Sequence, residues 1–120
     1  MKRYYNWTNE EIQLYNLGIY IKAFCIKINL SENLIENTKS ISIIVLNAIK
    51  KYDCAKRSKV KDGVILMCIQ YISNNNALKL SKQIGLNIKY IKNAEQMIYE
   101  LVNNNKLDLD KEKFLRVKNE

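Results

Sequence analysis

Apolar residues recur at helical spacing along most of the chain, and no strict alternation of apolar and polar residues runs long enough to indicate a β-strand. The pattern is clearest over residues 77–102, where it predicts a short helix, 77–84, and a longer helix that begins at about residue 88. The apolar stripes of these two helices consist of Leu78, Leu80 and Ile84 and of Ile88, Ile91, Ala94, Ile98 and Leu101.

Gly85 and Asn87 mark the boundary between these two helices. Glycine adopts without strain the left-handed conformation in which many helices end, and asparagine is a preferred N-cap residue. Two helices joined by so few residues cross at a steep angle, which is the helix-turn-helix pattern. The same pattern is also an ordinary way to pack two helices in an all-α domain, so it does not by itself indicate nucleic-acid binding.

Three further helices are predicted before this pair. The first opens at a capping box formed by Thr8 and Glu11 and ends near Ile28. The second covers about residues 32–52, with Ser31 as its N-cap. A basic loop, 53–60, precedes a third helix, 61–73, which is apolar on most faces and is expected to be surrounded by the others.

The apolar positions of the first two helices define the faces that we expect to be buried. For the first helix these positions are Ile12, Tyr15, Ile19, Ala23 and Ile26. For the second they are Leu34, Ile35, Ile41, Val45, Leu46 and Ile49, together with a run at 43–45 that is apolar nearly all round. The sequence therefore predicts an all-α domain of five helices that ends in a helix-turn-helix.

The flanking segments are divided from this helical domain, 8–102, by their composition. Residues 1–7 form a basic, aromatic arm, and residues 103–120 begin as a linker. Asp110 is a candidate cap for one more short helix that would carry Phe114, Leu115 and Val117.

The net charge of +8 is concentrated in two places. Between residues 50 and 61 six basic side chains are opposed by Asp53 alone, and between residues 77 and 93 there are four lysines and no acid. A basic surface favours an anionic partner such as nucleic acid, an acidic protein or a membrane surface. Lysine-rich composition is also typical of AT-rich genomes, which weakens this inference.

Two groups of residues are the candidate nucleic-acid contacts. Basic side chains of the predicted loop, and of the helix that follows it, are expected to neutralise phosphates. Polar residues in the first turns of the fifth helix are expected to lie on phosphates or in a groove. The first group is Lys56, Arg57, Lys59 and Lys61, and the second is Lys89, Tyr90, Lys92 and Asn93. The simpler interpretation is that both groups are solvated surface lysines and their neighbours.

The residues needed for metal binding or catalysis are scarce. The chain has no histidine, and its three cysteines, Cys25, Cys54 and Cys68, form no CxxC pair, so we expect no metal and no cofactor. We find no acid–base pair, no activated nucleophile and no glycine-rich phosphate loop, and we expect no enzyme activity. Cys25 and Cys68 lie in apolar runs and are expected in the core. Isolated cysteines and the absence of a signal-peptide or membrane-spanning stretch favour an intracellular, reduced protein.

Three segments together resemble the core of the transcription factor IIB family, a single cyclin-like repeat. They are KINLSENLIENT (27–38), KRSKVKDGVILMCIQYI (56–72) and ALKLSKQIGLNIKYIKNAEQMIYELV (77–102). In that family the first segment is the connector where a Leu-Pro pair opens helix two, and Leu30-Ser31 stands in that place here. The second segment is similar to the apolar third helix after a basic loop, and the third to the helix-turn-helix that ends the repeat. Members of the family usually carry a zinc ribbon and two repeats, whereas the sequence given has no zinc ligands and one repeat, which fits a minimal homologue, a divergent virus-type relative or an excised domain.

The resemblance implies a five-helix cyclin-like repeat in a transcription initiation factor. Such a factor would contact mainly the DNA backbone and would bridge to RNA polymerase or a TATA-binding protein, in the nucleus or at a cytoplasmic site of viral transcription. The alternative is a cyclin-type protein-interaction module without nucleic acid, which would need an exposed apolar groove between helices three and five. Neither interpretation places the protein in a membrane.

Overall fold

Five helices form the regular structure of the residues that the computed structural model describes, which are 6–51, 58–73 and 75–110. They are α1 (Asn9–Lys27), α2 (Glu32–Lys51), α3 (Ser58–Ile72), α4 (Ala77–Ile84) and α5 (Ile88–Asn103). These ranges contain no strand. The all-α prediction is confirmed, and each of the five predicted helices is present.

Short polar residues begin and end these helices, as their sequence predicts. The Thr8 hydroxyl accepts the Glu11 N–H at 3.1 Å and the Glu11 carboxylate accepts the Thr8 N–H at 3.0 Å, which completes the capping box at the start of α1. Ser31 immediately precedes α2, and its backbone carbonyl accepts the Leu34 N–H at 2.9 Å, while its hydroxyl donates to the Asn33 side chain and does not cap a helix N–H. Asn76 caps α4 through the Lys79 N–H at 3.1 Å.

Three of the helices end in a residue of left-handed conformation. Gly85 follows α4 with φ 73°, and the Leu86 N–H behind it donates to the Ser81 carbonyl at 2.8 Å. Asn29 and Asn105 do the same after α1 and α5, with φ 60° and 59°. Asparagine is the residue that most often replaces glycine at this position. Two of the asparagines, Asn29 and Asn105, thus serve to end helices.

Helix α3 lies at the centre of the fold and packs against α2, α4 and α5, while α1 packs mainly on α2. Its six consecutive residues 64–69 have no solvent exposure at all. A helix that is buried on every side must be apolar on every side, because an unpaired polar group in the core is costly. The prediction that the third helix is surrounded by the others is confirmed, and so is the burial of Cys25 and Cys68.

The predicted buried face of α1 is wrong. The side chains of Ile19 and Ile26 are 51% and 57% exposed, and Tyr15 is also exposed. Helix α1 is apolar on two sides, and both sides have helical spacing, so the sequence does not choose between them. The core receives the other side, which consists of Leu17, Ile21, Phe24, Cys25 and Ile28.

Two smaller predictions are also corrected by the structure. Ile44 is 52% exposed, whereas the apolar run at 43–45 had indicated a fully buried position. Residues 58–60 belong to α3 and not to a loop. Val60 lies four residues before Val64 and so extends the inward apolar spacing of α3 by one turn, which favours the helix over a loop.

The chain after α5 returns to the core instead of leaving it. Leu107 is buried, and the Asp110 N–H donates to the Tyr71 hydroxyl at 3.3 Å. The possible helix with Phe114, Leu115 and Val117 and residues 1–5 of the basic arm lie outside the described residues. None of the helices that the structure describes is long and apolar enough to cross a membrane.

Gly63 is a point of close backbone approach between α3 and α5. A Cβ atom on Gly63 would lie 2.5 Å from the carbonyl oxygen of Tyr90 and 3.0 Å from its carbonyl carbon. Both are backbone atoms, which cannot rotate out of the way. Only glycine at this position lets the start of α5 lie directly on α3.

Substitution of Gly63 by alanine is expected to lower the free energy of unfolding by about 1–3 kcal/mol, because the new methyl group forces the two backbones apart. Gly18→Ala is the matched control. Its added methyl group would meet only the Lys39 and Ile43 side chains, at 3.6 and 4.0 Å, which are ordinary contact distances. We expect Gly18→Ala to be neutral or stabilising, because alanine is the better helix former. Urea unfolding of both variants tests this, and equal effects would contradict the assigned role of Gly63.

The buried thiols make stability depend on alkaline pH. Burial raises the pKa of Cys25 from 9.0 to about 11 and that of Cys68 from 9.0 to about 12. The unfolded chain therefore releases the two thiol protons near pH 9, whereas the folded chain keeps them to about pH 11 and 12. Between these pH values the folded chain binds more protons than the unfolded chain. The contribution to stability is complete below pH 9 and is lost as the pH rises through about 11.

We therefore expect the free energy of unfolding to fall with pH above 9 in urea titrations. The Cys25→Ala, Cys68→Ala double variant is the control, and its decline over the same interval should be shallower. A decline of equal slope in both proteins would show that the two thiols are not its cause.

Candidate nucleic-acid interface

The N-terminal ends of α3 and α5 meet at Gly63, and this contact assembles a small basic cluster around the Tyr90 ring. The Lys59 ammonium of α3 lies 5.8 Å from the ring centroid, and the Lys89 ammonium of α5 lies 5.1 Å from it. Both distances are within the range of a cation–π interaction. Three of the predicted contacts, from two segments 30 residues apart in the chain, are thus neighbours in the fold.

The cluster forms because α3 has a glycine, Gly63, where the start of α5 packs on it, and a lysine, Lys59, one turn earlier. Lys59 and Gly63 are four residues apart and so lie on the same side of α3. The backbone of Tyr90 rests on Gly63, which places the ring beside the Lys59 side chain. Tyr90 is half-buried, while Lys59 and Lys89 are exposed. The ring therefore serves as a support that has two solvated ammonium groups within 5.8 Å of its centroid.

Lys61 lies apart from this cluster, on the side of α3 that faces α1. Its ammonium group is 4.7 Å from the centroid of the Tyr20 ring. Positions 59 and 61 are separated by about 200° around a helix, so their side chains point in opposite directions. The structure thus divides the basic run that the sequence presents as one patch.

Tyr20 and Asp62 form a polar contact beside Lys61. The Tyr20 hydroxyl donates a hydrogen bond to the Asp62 carboxylate and so joins α1 to α3. Burial raises the pKa of the Tyr20 phenol strongly, and the Asp62 carboxylate raises it further. Asp62 is the one acid within α3, and this hydrogen bond turns its carboxylate toward α1.

Lys92 and Asn93 are exposed and lie on the same face of α5 as Lys89, since they follow it by three and four residues. The Asn87 side chain caps the helix by accepting the Lys89 N–H at 2.9 Å. The first turn of α5 contains no acid, so the positive end of the helix dipole adds to the lysine charges. Lys89, Lys92 and Asn93 are thus directed to solvent in the first two turns of α5, next to the partly exposed Ile88.

The charge of this surface is little compensated. Within residues 6–51, 58–73 and 75–110, no carboxylate lies within 4.0 Å of the ammonium groups of Lys59, Lys61, Lys89 or Lys92. Lys56 and Arg57, the other two predicted phosphate contacts, lie outside the described residues. We define the basic face as Lys59, Lys89, Tyr90, Lys92 and Asn93.

Sequence reasoning missed three residues on which this arrangement depends, namely Gly63, Tyr20 and Asp62. One signal for Gly63 was present. A glycine inside an apolar helical run costs about 1 kcal/mol relative to alanine, so it usually has a packing reason. The pairing of Tyr20 with Asp62 joins residues 42 positions apart, and no local pattern predicts it.

Removal of the Tyr20 hydroxyl tests the polar contact between α1 and α3. We expect Tyr20→Phe to lower the free energy of unfolding by about 1 kcal/mol, because the half-buried Asp62 carboxylate loses its donor. Asp62→Ala provides the second arm of a double-mutant cycle, because alanine, unlike asparagine, has no side-chain oxygen to accept the bond. The double variant should lose less than the sum of the two single losses, and additive losses would show that the two side chains are not coupled.

We also compared the chain with known proteins. No family model, no curated protein and no solved structure matches it.

Proposed function

We propose that this protein is a transcription initiation factor of the transcription factor IIB type that contacts DNA through the basic face. The observation that carries the proposal is the convergence of Lys59 and Lys89 on Tyr90. It brings a lysine of the first turn of α3 beside the first turn of α5, the second helix of the helix-turn-helix, so the two groups of candidate phosphate contacts meet at one place. A surface built from both segments presents more ammonium groups to a phosphate backbone than either segment presents alone.

The chemistry of the basic face suits phosphate more than bases. Lysine ammonium groups are compact point charges that neutralise phosphate without geometric selectivity. Neutralisation releases condensed counterions, which supplies most of the free energy of non-specific binding. The partial positive charge at the capped start of α5 adds to this attraction. We therefore assign Lys59 and Lys89 to phosphates on one strand of the duplex.

Lys92 and Asn93 lie farther along α5 and extend the same contact. Lys92 is one turn beyond Lys89 and is assigned to a neighbouring phosphate. Asn93 presents an amide, which is the group that pairs with adenine in a major groove. In the helix-turn-helix arrangement the start of the second helix enters that groove, so Asn93 is the candidate for any base contact.

Bridging to RNA polymerase or a TATA-binding protein is the part of the proposal that rests on the family resemblance. Five helices in this order, with the third at the centre and a helix-turn-helix at the end, are compatible with one cyclin-like repeat. In that family the first repeat makes backbone contacts and protein bridges, and the connector at Leu30-Ser31 is similar to that of a first repeat. We accordingly propose backbone contact as the main mode of DNA binding.

The alternative is a cyclin-type interaction module that binds protein through a groove between α3 and α5. In the described part of the chain most apolar side chains of α3 and α5 are buried. The large exposed ones lie on α1 and α2, apart from Ile88 at the first position of α5. This distribution is the reason for ranking DNA contact first.

DNA binding is tested by fluorescence anisotropy of a labelled duplex that contains a TATA sequence, titrated at several salt concentrations. We expect the logarithm of the association constant to fall linearly with the logarithm of salt, with a slope of about −0.9 for each neutralised phosphate. A protein-interaction module would show no binding to the duplex. Absence of binding at low salt would refute DNA contact by this domain.

The Lys89→Glu, Lys92→Glu double variant tests the basic face itself. It should weaken binding and reduce the magnitude of the salt slope by about two, because two phosphate contacts are lost. The charge-matched control is Lys22→Glu with Lys27→Glu, which changes the net charge equally on exposed positions of α1. Unchanged affinity in the first variant, or an equal loss in both, would contradict the assignment.

A TATA-binding protein distinguishes an initiation factor from a generic basic protein. If the bridging part of the proposal is correct, adding that protein tightens binding to the TATA duplex and has no effect on a duplex without the element. Equal binding to both duplexes would leave phosphate contact in place and would exclude the bridging role.

A further inference from the structure

Helix α1 presents a second apolar surface to solvent, on the side away from the core. We define the α1 stripe as Ile12, Tyr15, Ile19, Ala23 and Ile26. Its members follow at intervals of three and four residues, so they form one continuous line along the helix. Tyr15, Ile19 and Ile26 are 47%, 51% and 57% exposed, which is unusual for three large apolar side chains in one line.

The surroundings of the α1 stripe extend it at both ends. Trp7 packs edge-on against Tyr15, with ring centroids 5.1 Å apart, and so adds aromatic surface at the N-terminal end. At the other end Ile26 lines a surface cavity of about 460 Å³ between α1 and α2. The cavity floor includes the buried Ile35, and Lys22 and Glu32 lie at its rim. The stripe thus leads from an aromatic pair into an open depression.

We propose that the α1 stripe binds a second copy of this chain, with the two α1 helices antiparallel around a two-fold axis at Ile19. A two-fold interface must be self-complementary, so each residue of the stripe must suit the one that it meets. With Ile19 on the axis, Ile12 faces Ile26 and Tyr15 faces Ala23. A large ring opposite a methyl group, twice, is the alternation that lets two apolar helices interdigitate.

The charges on α1 favour the antiparallel orientation. Glu10 and Glu11 lie in its first turn, whereas Lys22 and Lys27 lie near its end. Antiparallel helices bring the acidic end of each copy beside the basic end of the other, and their dipoles are opposed. A parallel pair would place like charges together at both ends. This complementarity is the reason for choosing a second copy over a different partner.

The size of the stripe limits the strength of the dimer. From Ile12 to Ile26 the helix extends about 21 Å, which gives an interface near the lower end of the range for specific complexes, about 1,000 Å² in total. The net charge of +8 on each chain also opposes association. We accordingly expect a weak dimer that forms in the micromolar range or above, and less readily at low salt. This inference is independent of the proposed DNA binding.

Sedimentation velocity of the full chain, from low micromolar to millimolar concentration, is the first test. The expected result is a reversible shift from the 14.1 kDa monomer toward twice that mass. Ile19→Lys should weaken the dimer at least about tenfold, because it places two ammonium groups on the axis. The matched control is Ile44→Lys, since Ile44 is 52% exposed but lies on α2. Circular dichroism checks that both variants keep their helices.

Cross-linking tests the antiparallel geometry independently of these variants. In a Cys54→Ser background, Ile19→Cys should form a covalent dimer under a mild oxidant, because residue 19 meets itself across the axis. Ile44→Cys is the control and should not. A chain that stays monomeric at all concentrations, a dimer that Ile19→Lys leaves intact, or equal cross-linking at positions 19 and 44 would each overturn the proposal.

Discussion

The close contact between Gly63 and the backbone of Tyr90 sets the position of α5 on α3, and the basic face depends on it. A Cβ atom at position 63 would lie 2.5 Å from the Tyr90 carbonyl oxygen, so any larger residue moves the start of α5 outward. That movement would separate Lys59 from the Tyr90 ring. The lack of a side chain at Gly63, inside the fold, therefore determines where two charged groups, Lys59 and Lys89, lie on its surface.

Burial of α3 on every side has a second consequence. Since residues 64–69 have no exposure, α3 has no polar face in its middle, and polar side chains are confined to its ends. The first five residues of α3 include Lys59, Lys61 and Asp62. The Lys59 side chain is directed toward α5, and those of Lys61 and Asp62 are directed toward α1. A fully buried central helix thus concentrates its charges where it emerges, which is also where α5 begins.

The sequence predicted local features well and tertiary choices less well. Capping at Thr8 and Asn87 and the left-handed Gly85 follow from the chemistry of single residues, and the structure has all three. The orientation of α1 did not follow, because α1 has two apolar sides with equal helical spacing. The hydrogen bond from Tyr20 to Asp62 favours the side that is buried, and it joins residues 42 positions apart in the chain. The candidate lysines were predictable by type and location, but their support by Tyr90 was not.

The two sides of α1 show why hydrophobic spacing alone does not identify a core. Leu17, Ile21 and Phe24 lie on the side that α2 and α3 cover, and Tyr15, Ile19 and Ile26 lie on the opposite side, which faces solvent. A helix at the edge of a small domain has neighbours on one side only, so a second apolar side adds nothing to the stability of the monomer. Since exposed isoleucine also favours non-specific association, a stripe of this kind is best explained by a surface that covers it. The basic face and the α1 stripe thus differ in chemical character. The basic face consists of charges that stay hydrated, whereas the α1 stripe consists of apolar side chains whose removal from water lowers the free energy.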